Sequence, residues 1–149
     1  MWPRILIIAV VCICFFGGAP RKQSRVCIKD NCFYVELAAT PFKRAWGLMF
    51  KKYLAHNEGM LFLFEEEKKH NFWMKNTFIP LDIFWIDKDR KIVFIKKKAQ
   101  PCKKDLCPVI SPDREAIYVL ELNAGVSDGL GLDIGDTAIF HITGSLETE

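Results

Sequence analysis

His70-Asn71-Phe72-Trp73-Met74-Lys75-Asn76-Thr77-Phe78-Ile79-Pro80-Leu81-Asp82-Ile83-Phe84-Trp85-Ile86 is the stretch whose reading decides the fold. It holds two of the four tryptophans and three of the twelve phenylalanines. Two apolar runs flank a polar insert, Lys75-Asn76-Thr77. The pattern predicts a strand from His70 to Met74, a loop from Lys75 to Pro80, and a strand from Leu81 to Ile86. The proline sets the loop, because it has no N–H to give a central ladder. Asp82 stands inside the second apolar run. A carboxylate there is costly unless it is paired or hydrogen-bonded.

The same alternation of short apolar runs and turn signals extends both ways. Upstream, Val26-Cys27-Ile28 and Cys32 to Leu37 flank Lys29-Asp30-Asn31, which predicts a hairpin with Cys27 facing Cys32. Thr40 is a good N-cap and Pro41 suits the first helical position. A short helix from Pro41 to Trp46 then stops at Gly47, with Phe42, Ala45 and Trp46 as its expected buried face. Gly59 to Phe64 reads as a strand buried on both faces, and Glu65 to Lys69 as a solvated turn. Downstream, Asp87 to Arg90 is a turn and Lys91 to Lys98 a partner strand. Within it Lys96 and Lys98 share one face, opposite Lys97, as a charged edge that resists pairing. Gln100 to Asp113, with three prolines and two cysteines, is a pinned loop. Ala116 to Leu122 is a strand carrying a second costly carboxylate, Glu121. Gly125 to Gly131 makes one helical turn, and Thr137 to Thr143 is the last strand. The expected fold is mainly β (α+β): a compact, mostly antiparallel, barrel-like sheet of about eight strands with one short helix.

The N-terminal segment and the cysteines place the chain in an exported class. Of its 149 residues 50% are hydrophobic and 13% aromatic, which excludes a disordered chain. The net charge of +3 lacks the clustered excess that phosphate backbones require, so no nucleic acid is expected as partner. Ile5 to Phe16 is an apolar run of twelve after a basic start, closer to a signal-peptide core than to a full membrane span. Residues 1–19 are thus a signal peptide or an uncleaved N-terminal anchor. Residues 20–25 form a basic tether, 26–143 a single β-rich domain, and 144–149 a frayed tail. The location expected is extracytoplasmic: secreted, periplasmic or anchored. Cys27 and Cys32 are five apart, as are Cys102 and Cys107. Two local disulfides fit that spacing and an oxidising compartment better than a four-thiolate zinc site, which prefers shorter gaps.

Five motifs stand in a recognisable order: Gly47-Leu48-Met49; Gly59-Met60-Leu61-Phe62; Phe72-Trp73-Met74-Lys75-Asn76-Thr77 with Pro80-Leu81-Asp82; Val119-Leu120-Glu121 with Gly125; and Gly135-Asp136. In this order the chain resembles, from about Cys27 to Ile142, the uncharacterised family catalogued as domain of unknown function 192. The resemblance implies a compact β-rich domain, often behind a signal peptide, and no established reaction. Cys102 and Cys107 beside Pro101 and Pro108 resemble a subset of that family. Cys27 and Cys32 are not part of its pattern.

Four constellations carry chemistry. Trp73, Met74, Lys75, Asn76, Thr77 and Asp82 compose a candidate ligand site, with Trp73, Phe78 and Trp85 as its aromatic floor and a small polar ligand as the expected occupant. In the structural alternative, Asp82 and Glu121 accept backbone N–H groups and fix the loop. Asp82 and Glu121 are also the candidate acid–base pair of a hydrolase-like enzyme. Met49, Met60 and Met74 are soft donors suited to Cu(I) in a carrier, although methionine in an apolar strand is ordinarily core filler. No other metal or cofactor is expected. Lys96 to Lys98 with Lys103 and Lys104 could meet anionic head groups, given the N-terminal segment. The reading that leads is a non-catalytic binding or accessory module for a small polar ligand or a protein partner.

Overall fold

The computed structural model describes residues 23–143. The expected signal peptide or anchor, the first half of the expected tether and the C-terminal tail lie outside these residues. Nine strands and two short helices follow in order: β1 Arg25–Ile28, β2 Asn31–Ala38, α1 Pro41–Trp46, β3 Glu58–Lys68, β4 Phe72–Trp73, β5 Leu81–Ile86, β6 Ile92–Ala99, β7 Val109–Ile110, β8 Ala116–Asn123, α2 Val126–Gly129 and β9 Ala138–His141. Neither helix is long enough to cross a membrane. Seven strands form one sheet in the order β6-β5-β8-β3-β2-β1-β9, and β4 pairs with β7 in a small second sheet.

The large sheet curls into a half-barrel. Its two edge strands approach at one end, where Lys91 bridges Thr137 and the Ile92 N–H donates to the Asp136 carbonyl at 2.9 Å. All but one of its strand pairs are antiparallel. The exception is β2 with β3, where α1 and the loop after it carry the chain back to the same end before β3 begins.

Both faces of the sheet carry an apolar core, but the outer face of β2 and β9 stays open to solvent, with Tyr34, Glu36 and Ile139 exposed. On the concave side Val26, Phe33, Leu61, Phe84, Ile92 and Ala138 meet, which brings residues of both edges into one cluster. On the other side Phe62, Ile83, Trp85 and Val119 pack against Leu48, Met74 and Cys102. Strand β5 lies between these cores, so all six of its residues are buried. That explains why Leu81 to Ile86 reads as a continuous apolar run and not as an alternation.

The hairpin, the helix bounds, both disulfides and the central strands follow the sequence expectations. Thr40 accepts a hydrogen bond from the Lys43 N–H, and Gly47 leaves the helix with φ +51°. Four details differ. Strand β3 continues through the charged run to Lys68, since its far end is solvated on both sides and still pairs at Ala116. The expected strand His70 to Met74 shrinks to two residues in the small sheet. Lys97 and Lys98 do not oppose each other, because a register shift and φ +50° at Lys98 turn both towards Asp128, each 2.9 Å away. Finally, α1 buries nothing: Phe42 is 73% exposed and Trp46 50%, against an expected apolar face.

Candidate functional site

Asp82 and Glu121 sit on neighbouring strands and face opposite ways. Ile83 pairs with Glu121, and Asp82 pairs with Leu122. Successive side chains of a strand point to opposite faces, so the two carboxyls are separated by the sheet itself. The expected acid–base pair is therefore not assembled.

Asp82 is fully buried and fully partnered. Its Oδ1 accepts the Lys98 N–H at 2.7 Å. Its Oδ2 accepts the Gly125 N–H at 3.1 Å, the Ser127 N–H at 2.8 Å and the Ser127 hydroxyl at 2.7 Å. One carboxylate thus ties the irregular end of β6 to the start of α2. Four donors on one ion account for a charge in this position without any ligand.

Glu121 has the opposite environment. It is 4% exposed on β8, between Met60 of β3 and Ile83 of β5. Its Oε2 is buried without a hydrogen-bond partner. Burial pushes its carboxyl up from 4.5 to about 8, so at neutral pH it is mostly protonated and can donate a hydrogen bond.

Glu121 lines a cleft of about 30 Å³ whose walls include Trp46 and Met49 on one side and Phe72, Trp73, Lys75 and Thr77 on the other. The first wall is held by Arg44. Its guanidinium donates to the carbonyls of Ala39 (2.6 Å) and Leu63 (2.9 Å) and lies 5.3 Å over the Phe64 ring. The second wall hangs on the disulfide loop. Met74 O accepts the Cys102 N–H at 3.0 Å, and Cys102 O accepts the Asn76 N–H at 2.9 Å. Asn76 sits at φ +55° and its carbonyl accepts the Phe50 N–H at 2.8 Å, which joins the two walls. Lys75 Nζ lies 5.5 Å over the Trp73 ring rather than on a carboxylate.

Of the six residues expected to compose a ligand site, this cleft gathers Trp73, Lys75 and Thr77. Asn76 shapes the loop through its backbone. Met74 is buried in the convex core and Asp82 belongs to the network on the other face. Phe78 packs edge-on to Phe50 at 5.8 Å. Trp85 is wholly buried, with its indole N–H on His70 O at 2.8 Å, so it floors no site. Met49 and Met60 share a shallow cleft beside Lys51, whereas Met74 lines a separate, larger one beneath Lys96 and Lys98. Among the described residues no three His, Cys, Asp or Glu side chains cluster as a metal site requires. Arg44, Trp46 and Phe72 were absent from the expected set. Phe72 stands in the Phe72-Trp73-Met74 motif and Trp46 directly before Gly47-Leu48-Met49, whereas nothing local marks Arg44, since α1 reaches the cleft through tertiary packing.

A family model described as DUF192, Uncharacterized ACR, matches residues 24–140, and the chain belongs to that family. The chain is also similar to two solved structures. One is a protein of unknown function from Novosphingobium aromaticivorans, 34% identical over 78% of this chain and 83% of that one, with a TM-score of 0.71. The other, from Sinorhizobium meliloti and described as a candidate transcription regulator, is 36% identical over 79% of this chain and 92% of that one, with a TM-score of 0.72. No curated protein matches the chain.

Proposed function

We propose that this is an extracytoplasmic, non-catalytic binding module that takes a small polar group into the cleft over Glu121. One observation carries the reading: a buried carboxyl with no partner faces a cleft walled by aromatic rings and a threonine. An unsatisfied polar atom in a core costs about 1–3 kcal/mol, and two aromatic walls with a few placed polar groups are usual for ligand sites. A protonated Glu121 would donate to a carbonyl, ether or hydroxyl oxygen, and Thr77 can donate or accept beside it. The free volume admits one such group, so the rest of a ligand would rest on Trp46 and Trp73. The two disulfides and the apolar run Ile5 to Phe16 support a place outside the cytoplasm. The description of the Sinorhizobium protein suggests nucleic acid as a partner. The charge of this chain, +3, does not favour it.

The test is native mass spectrometry of the protein purified without reductant from its own compartment, beside Glu121→Leu. A co-purifying small molecule that the leucine variant loses supports the reading. A wild-type protein free of any adduct, together with a leucine variant that melts higher, would reduce Glu121 to an unsatisfied core residue and sink it.

A further inference from the structure

The apolar residues that α1 leaves in solvent continue beyond the helix. Phe42 stacks on Trp46 at 6.0 Å, Trp46 meets Phe50 at 5.5 Å, and Phe50 meets Phe78. Phe50 is 48% exposed, and none of these four rings belongs to either core. Soluble surfaces scatter such residues singly; a contiguous row marks an interaction site. Cations border most of the row, with the acid Glu36 beside it, 3.7 Å from Lys51. Lys43 lies within α1, Lys51 and Lys52 follow Phe50, and Lys103 Nζ lies 5.1 Å over Phe78.

The chain enters the domain beside this row. Gln23 shares a cleft with Glu36 and Lys51, and those two residues also line the adjoining cleft of Trp46 and Phe50. Six residues separate Gln23 from Phe16, the last of the apolar run, and the seven steps reach about 25 Å at full extension. A segment seated in a bilayer would thus hold this side of the domain at the lipid surface. Arg21 and Lys22 lie within that span.

We propose that the ridge Phe42-Trp46-Phe50-Phe78 with its bordering lysines is a membrane-docking surface that lays the domain onto an anionic lipid face. Amphipathic aromatic rings settle at the head-group level, and lysines reach past them to lipid phosphates. Such docking would explain a six-residue helix whose aromatic residues stay half or more exposed. It also sets Trp46, a wall of the Glu121 cleft, at the lipid boundary.

The test uses the full chain carrying Trp2→Phe, mixed with vesicles of phosphatidylethanolamine and phosphatidylglycerol whose acyl chains are brominated. Bromine quenches only indoles that enter the bilayer. Quenching is expected, with most of it lost on Trp46→Phe and much of it lost when phosphatidylcholine replaces the anionic lipid. Phe42→Ser, at an exposed position, should weaken quenching and leave the melting temperature unchanged. Quenching that persists unchanged in Trp46→Phe or in Phe42→Ser overturns the proposal. So does a chain that floats with vesicles while Trp46 stays unquenched, since the N-terminal segment alone would then be the anchor. A concentration-dependent dimer that Phe42→Ser dissolves, without quenching, also overturns it and gives the ridge to a second copy.

Discussion

Replacing Glu121 by glutamine separates its charge from its shape. The folded carboxyl is raised from 4.5 to about 8 by burial, so the native state holds a proton that the unfolded chain releases. The sign follows from that. The stability this group permits is fully present below pH 4.5 and is lost progressively as pH rises towards 8. At 1.36 kcal/mol per pH unit, the loss between about pH 5 and about pH 7 comes to roughly 2.5 kcal/mol. In a domain of this size that corresponds to a fall of about 10 °C in Tm. Glutamine keeps the volume and a donor–acceptor pair but does not titrate. Thermal unfolding followed by circular dichroism, without reductant, should therefore show Glu121→Gln nearly flat where the wild type falls. The two proteins should be closest at the acid end. Parallel pH profiles for variant and wild type would refute the argument, because Glu121 would then be ionised or solvated in the folded state.

Four further outcomes rest on the geometry. Asp82→Asn puts an amide among four donors and removes the charge, so it should cost about 2–4 kcal/mol in urea unfolding; a loss under roughly 0.5 kcal/mol would contradict the network, since that is the range of inert surface changes. Gly59→Ala would place a Cβ 2.5 Å from Glu121 O and 2.6 Å from Leu122 Cδ2. That forces β3 from β8, and a drop of about 2 kcal/mol or more is expected, with wild-type stability as the refuting result. Without the N-terminal segment, which carries Cys12 and Cys14, the non-reduced protein should weigh four hydrogens less than the reduced form, counted over its two disulfides. Exchanging Cys102 and Cys107 for serine should remove about 2 kcal/mol by the loop-entropy relation. It should also alter the fluorescence of Trp73, because Cys102 carries the Met74–Asn76 backbone.

Local signals settled much of the fold. The Thr40-Pro41 start and Gly47 stop of α1 depend on backbone groups within four residues, and the structure keeps them. The hairpin bridge at Cys27 and Cys32 follows from register across a short turn, which is also local. Burial of α1 could not be read this way. Phe42 and Trp46 have the spacing of a buried face, yet β2 and β3 pair directly, and the helix lies outside the covered part of the sheet. The parallel β2–β3 pair was equally hidden, because a loop's length does not say to which end of the sheet it returns.

The site divides along the same line. From the sequence alone came two carboxylates in apolar strands, and the certainty that each needs an environment to justify it. That is chemistry of the residue and its immediate neighbours. Which environment each received was decided by strand pairing. Setting β5 beside β8 with Ile83 opposite Glu121 sends the two carboxyls to opposite faces. One then meets the N–H groups of β6 and α2 and is satisfied. The other meets Phe62, Trp46 and Trp73 and is left without a partner. A one-residue slip of β5 against β8 would turn one strand over and bring both carboxyls to the same face, and register is a property of two strands, not of either sequence taken by itself.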